Sequence, residues 1–389
     1  MSFVALLVFL VSWLALPLLL FRIFRVRQPR IAWAALGIGV FLAIAQLGYW
    51  LNEVSGKSRI RHYREIRAFL QDTTAQAQVF RGLDRDGSLS MLSLMAEGLA
   101  AYAGRYPREH ENVSKLLREV VELALGGERQ ALVRKKIPWK DEGFALAHLN
   151  VVLGWYKQVS GKDDYRRLNL EISRHLIDEI AASPYKHMRS IPFNDSFWPA
   201  DNAVALFSVF LYDHNYQTHL SERTASYWQR YVDTEIAEPD TGIPCAQASH
   251  DNRCGEVPKG TQIATMVAYA SYFDAAWASK EWKRGKPFFK HSFLTFGATF
   301  REFMGRTQAP EMHIPNSGSD DTAFLAGLRA AALSGDKLSY FQFKHGLLFE
   351  SLSLGSERHF SARAKLAKAA NDMVITTYLF SAESGKVKL

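Results

Sequence analysis

The sequence predicts an all-α protein: an α/α toroid, a barrel of helical hairpins over residues 55–389, preceded by a two-helix transmembrane hairpin over residues 1–54. Three observations predict it. Two long apolar runs open the chain, the apolar residues beyond them recur at helical spacing, and four connections share one design.

The opening runs extend from Phe3 to Phe24 and from Ile31 to Leu51, and only Arg22 intrudes on them. Each is near the roughly 20 residues that cross a bilayer as a helix. No basic stretch precedes the first run and the second follows at once, which favours an anchor over a cleaved signal peptide. The turn RIFRVRQPR carries Arg22, Arg25, Arg27 and Arg30, and positive-inside bias places such a turn in the cytoplasm. Lys57, Arg59, Arg61 and Arg64 pull the other way, while Tyr49 and Trp50 sit where an interfacial aromatic belt would. The expectation is an inner-membrane protein with two transmembrane helices and its main domain in a periplasmic space, where disulfides persist. The net charge of +8 partly reflects these basic clusters, which suit anionic headgroups and make the lipid bilayer an expected partner. No basic motif interleaved with aromatics points to nucleic acid.

Past residue 55, apolar residues recur at helical spacing in stretches such as MLSLMAEGLAAYAG, SKLLREVVELAL, FALAHLNVVLGWY, AVALFSVFLYD and IATMVAYASYFDAAW, which read as helices. Intervening stretches such as YRRLNLEISRHLIDEI are more polar and read as the outer members of hairpins. The four connections IPWKDEGFALAH, FNDSFWPADNAVAL, GEVPKGTQIAT and PNSGSDDTAFLAG each place Pro or Gly, then small or acidic residues, before an apolar run. That order marks a helix N-terminus. In a toroid these N-termini gather at one end, where amide donors and positive dipole ends favour polar or anionic ligand groups. No long Pro- or Ser-rich linker divides the body, so it reads as one domain.

Asp201, in WPADNAV, follows Trp198 at the start of such a helix. Two roles fit it: a first-turn acid that stabilises the helix, or a carboxyl group beside an aromatic wall that serves as acid or base. Asp141 and Glu142 in WKDEGF, and Asp320 and Asp321 in SGSDDT, pose the same choice. Both cysteines of the chain, Cys245 and Cys254, lie in PCAQASHDNRCGEVPKGTQ, with His250, Asp251 and Glu256 around them. A structural clip, a metal site and a catalytic pair compete there. Their separation matches no recognised zinc spacing, and DRDGS at Asp84 to Ser88 lacks the further acidic ligands of a calcium loop and reads as a turn before a helix. Neither a metal nor an organic cofactor is expected. No nucleophile-elbow, Walker or dinucleotide-binding motif stands in a strand-to-helix setting.

The cysteine pair, following DTGIPCAQ in a helical chain, resembles that of the linalool dehydratase-isomerase family, over roughly residues 140 to 350. The resemblance implies an α/α barrel acting outside the cytoplasm without a cofactor, and acid-base lyase or isomerase chemistry on a small hydroxylated molecule. It implies catalytic roles for Cys245 and Cys254; Asp201, His250, Glu256 and Asp141 are the acid-base candidates that the residues themselves offer beside them. It does not place the family's His and Asp on particular residues, although His148 and Asp201 occupy inner-helix positions.

A second reading is a hydrolase or lyase acting on envelope glycans. It expects Trp139, Trp198 and Tyr272 to stack on sugars, and Asp201 with Glu256 or Asp320 to span the scissile bond. A third is a non-catalytic subunit of an envelope assembly, in which the cysteines only clip a loop. A homo-oligomer is compatible with all three.

Overall fold

The computed structural model describes residues 15, 17–126, 138–183, 186–189, 197–249, 253–293, 297–304, 319–353 and 362–389. Small acidic caps open several helices, as the sequence pattern requires. Asp72 accepts from the Thr74 and Ala75 amides, and Asp84 from that of Gly87. Each satisfies backbone donors that the first turn leaves unpaired.

The helices are α1 (Pro29–Ser55), α2 (Lys57–Gln71), α3 (Thr73–Arg81), α4 (Arg85–Arg105), α5 (His110–Leu125), α6 (Gly143–Ser160), α7 (Arg166–Ala182), α8 (Pro199–Tyr216) and α9 (Glu222–Thr234). After them come α10 (Gly260–Phe273), α11 (Ala275–Phe289), α12 (Ser319–Leu333), α13 (Lys337–Ser353) and α14 (Ala362–Ser384). Two antiparallel hairpins interrupt them, β1 (Gln247–Ala248) with β2 (Cys254–Glu256) and β3 (Lys290–Phe293) with β4 (Gly297–Phe300).

Helices α4, α6, α8, α10, α12 and α14 each pack on the next, and α14 returns to α4, so the six close into a ring. Around it, α5 covers α4 and α6, α7 covers α6 and α8, α11 covers α10, α13 covers α12, and α2 with α3 covers α14. The sequence difference between the layers follows from this placement. Ring helices are enclosed on nearly all sides and bury residues all round: in α6 every residue from Ala145 to Tyr156 is buried. Outer helices bury one stripe, as in α5, where Val113, Leu116, Leu117, Val120, Val121 and Ala124 face inward at helical spacing.

The N-terminal expectation is corrected. Among the described residues no helix is long and apolar enough to cross a membrane, which overturns both the two-helix transmembrane anchor over residues 1–54 and the inner-membrane placement that rested on it. Most of the first apolar run lies outside the described residues. In the second, the apolar sequence of α1 is broken by Gln46, Asn52 and Glu53. Its last turn joins the helical body: Glu53 accepts from the Tyr340 hydroxyl at 2.6 Å and pairs with Lys344 at 3.3 Å.

Candidate functional site

The first turns of four ring helices meet around a solvent-open pocket of about 240 Å³, lined by Asp86 from α4, Phe144 from α6, Asp201 from α8, Gln262 from α10, and Trp198 just before α8. Local chemistry holds each wall. Asp86 stands two residues beyond the cap Asp84 and accepts from Arg85 Nε at 2.8 Å. The same guanidinium donates to Glu142 at 2.6 and 3.3 Å and so ties the starts of α4 and α6 together. Burial lowers the Arg85 pKa, but the hydrogen bonds to Asp86 and Glu142 outweigh it and raise the group above its ordinary value.

On α8, Pro199 occupies the first turn, where its missing amide costs nothing. Asn202 fastens this turn: its Oδ1 accepts from the Met188 amide at 2.9 Å and its Nδ2 donates to the Trp198 carbonyl at 3.0 Å. On α10 the first residue is Gly260 because a Cβ there would run into the Arg301 carbonyl, and its amide donates to the Glu302 carbonyl at 2.8 Å. Gln262, in the same first turn, keeps a buried Oε1 without a hydrogen-bond partner among the described residues. That oxygen is an unsatisfied acceptor at the wall of the pocket.

Beneath the pocket the ring interior is polar. Phe144 packs on His148 with ring centroids 4.5 Å apart, and His148 Nδ1 and Ser93 Oγ share a hydrogen bond of 2.7 Å. Burial, assisted by the charge of Arg329, pushes the His148 imidazole down to about 3 and keeps it neutral. Deeper still, Glu97 forms a buried ion pair with Arg329 and accepts from the Tyr272 and Ser381 hydroxyls at 2.8 Å each. The Arg329 guanidinium lies 4.2 Å from the Tyr269 ring centroid.

Of the residues singled out by sequence, Asp201 and Trp198 come together in the pocket. Tyr272 does not reach it: its hydroxyl is spent on Glu97, and burial with that carboxylate drives its pKa well up. Trp139 packs edge-on against His175 of α7, whose Nε2 donates to the Trp139 carbonyl at 3.2 Å. Asp141 holds a left-handed φ of 66° and pairs with Arg189 at 3.4 Å. Glu256, on β2, pairs with Lys259 at 2.6 Å. Asp320 falls in the first turn of α12, with its side chain outside the description. His250 and Asp251 lie outside the described residues.

Cys245 and Cys254 form a disulfide with their Cα atoms 5.6 Å apart. It closes the β1–β2 hairpin, whose Ala248 exchanges backbone hydrogen bonds of 2.8 Å with Phe197, the neighbour of Trp198. The disulfide is therefore attached to the rim of the pocket through one strand bridge. Its sulfurs cannot act as thiol acids while joined.

Sequence reading missed Asp86 and Gln262. The signal for Asp86 was present, since DRDGS followed by an apolar run has the same cap-then-acid order as WPADNAV. For Gln262 there was none beyond its place in the first turn of a ring helix. Among the described residues no group of three or more His, Cys, Asp or Glu side chains is placed to hold a metal ion. No known protein family profile matches the chain.

Proposed function

We propose that the protein is a glycan-processing enzyme, a hydrolase or lyase, that works at the pocket between Asp86 and Asp201. The observation that carries this reading is the convergence of two carboxyl groups from different helices with Trp198 and Phe144 in one open pocket. Paired carboxyl groups are the machinery of glycosidic bond cleavage, and aromatic faces stack on sugar rings. Asp86, ion-paired with Arg85, supplies the standing negative charge toward the sugar carbon. Asp201, beside Trp198, carries the proton to the leaving oxygen. Gln262 Oε1 accepts from a sugar hydroxyl. The dehydratase chemistry implied by the cysteine resemblance needs both sulfurs free, and their union in a disulfide favours the glycan reading over it.

The test is incubation of the full chain with neutral and acidic oligosaccharides, with products read by mass spectrometry. Cleavage with a gain of water identifies a hydrolase, and cleavage without it a lyase. Asp86→Asn and Asp201→Asn should each reduce turnover at least a hundredfold while circular dichroism stays unchanged. Cleavage that survives in both folded variants sinks the proposal, and so does turnover by the wild type only after a reductant has opened the disulfide.

A further inference from the structure

A second cavity, of about 390 Å³, lies where α4, α12 and α14 end, and its lining includes Arg59, Arg105, Lys337, Glu53 and Glu383. It is remote in the fold from the helix starts that form the first pocket. Both carboxylates are already engaged. Glu383 accepts from Ser58 Oγ at 2.9 Å and His62 Nδ1 at 2.8 Å and pairs with Lys344, and Glu53 is held by Tyr340 and Lys344.

The cations are not matched in this way. Arg59 is only 6% exposed, yet its guanidinium meets neutral groups: Nε donates to the Glu383 carbonyl at 2.6 Å and Nη1 to the Tyr106 hydroxyl at 3.3 Å. Among the described residues neither Arg59 nor Arg105 forms an ion pair. The two guanidiniums are close enough that the charge of Arg59, after burial, lowers the Arg105 pKa, and the charge of Glu53 offsets only part of this. The arrangement is built in by the chain: Gly56, at a φ of 71°, turns α1 into α2, and a Cβ there would stand 2.8 Å from the Tyr106 hydroxyl and 3.1 Å from Arg59 Nη1. A buried guanidinium without a carboxylate is costly, and the cost is relieved when an anion fills the cavity beside it.

We propose that this cavity binds a small oxyanion of the phosphate type, held between Arg59 and Arg105 with Lys337 at the mouth. The planar, forked donors of arginine match tetrahedral oxyanions in a way that a single ammonium does not. Carbonyls at the ends of the three helices are suited to any hydroxyls the ligand carries.

Calorimetric titration of the full chain with inorganic phosphate, at constant ionic strength with chloride as the reference, tests this. Saturable binding is expected for the wild type, with affinity at least tenfold weaker in Arg105→Gln. That residue stands at the exposed rim, so the fold survives the change, and Arg167→Gln on the far outer helix α7 should bind like wild type. Vesicles of phosphatidylglycerol separate the sources. Binding to them that needs Arg105 and is competed by phosphate identifies a lipid headgroup as the ligand, and its absence identifies a soluble one. No saturable phosphate binding by the wild type, or equal binding by Arg105→Gln, overturns the site.

Discussion

Replacing Arg329 and Glu97 together by Met should destabilise the protein by much less than the sum of the two single replacements. In the ring interior Glu97 is 1% exposed and Arg329 2%. The pair is bidentate, with Nε and Nη2 of Arg329 each 2.9 Å from a Glu97 oxygen. Tyr272 and Ser381 donate to the same carboxylate, so one group joins α4, α10, α12 and α14. Removing the guanidinium alone leaves a buried carboxylate with two hydroxyl donors, a change that costs about 3–5 kcal/mol. Loss of the desolvated cation–π contact with Tyr269 adds about 2 kcal/mol. Glu97→Met should cost a similar 3–5 kcal/mol by stranding the guanidinium. With both residues changed to Met no charge remains to be stranded. Although the cation–π contact is lost and the Tyr272 and Ser381 hydroxyls lose their acceptor, the loss in the double variant should fall short of the sum of the two single losses by about 3 kcal/mol or more. The assay is denaturant unfolding of the four proteins, followed by circular dichroism and compared as a double-mutant cycle. A double variant whose loss equals the sum of the two single losses refutes the reasoning.

Three further outcomes are expected. His187 is buried with neither ring nitrogen hydrogen-bonded among the described residues, and burial holds its pKa at about 3. The unfolded chain therefore takes up a proton below the ordinary histidine value while the folded chain does not, so stability falls with pH in that window. His187→Phe should gain about 2 kcal/mol relative to wild type between pH 8 and pH 5, measured by urea titration, and an unchanged difference contradicts the assignment. Burial alone would raise the Glu383 carboxyl, but the hydrogen bond from His62 and the charge of Lys344 hold it at about 2. Its contribution is complete above the ordinary carboxylate range and is lost as pH falls toward 2, so the deficit of Glu383→Gln at pH 7 should shrink in acid; a deficit independent of pH counts against it. The Cys245→Ser/Cys254→Ser variant loses a closed loop worth on the order of 3 kcal/mol or less; it should stay folded while amide exchange at the Phe197–Ala248 bridge quickens, and global unfolding would make the disulfide essential to the fold.

The helical body was legible because burial acts on every residue of a helix, so FALAHLNVVLGWY announces an inner helix and YRRLNLEISRHLIDEI a covering one. Asp201 and Trp198 were legible for a related reason: a helix start has a local chemical signature, and in a closed ring of six helices such starts are brought together. Tyr272 was misassigned because its partner Glu97 is 175 residues away, and no local pattern distinguishes an aromatic that stacks on a ligand from one that donates to a buried acid. Trp139 and Glu256 do not line the pocket either: Trp139 packs on His175 and Glu256 pairs with Lys259. The second cavity was invisible because Arg59, Arg105 and Lys337 belong to three separate segments, and Arg59 read as part of a basic cluster next to a membrane. The anchor reading rested on average apolarity, which says nothing about how Glu53 at the end of α1 binds the body.

The ring closes where α14 meets α4. Contacts of α14 with α4 span most of the sequence; Glu97 and Ser381 are 284 residues apart. At about 5–20 residues per second, synthesis of such a chain takes on the order of a minute. Through nearly all of it α4 has no α14 to cover its flank, and Glu97 cannot yet be sealed between Arg329 and Ser381. Hairpins of neighbouring helices can form early from local contacts, but the barrel itself cannot close until α14 has been made. A nascent chain cut before α14 would display an open seam of apolar side chains, which a chaperone or another incomplete copy would be the first to meet.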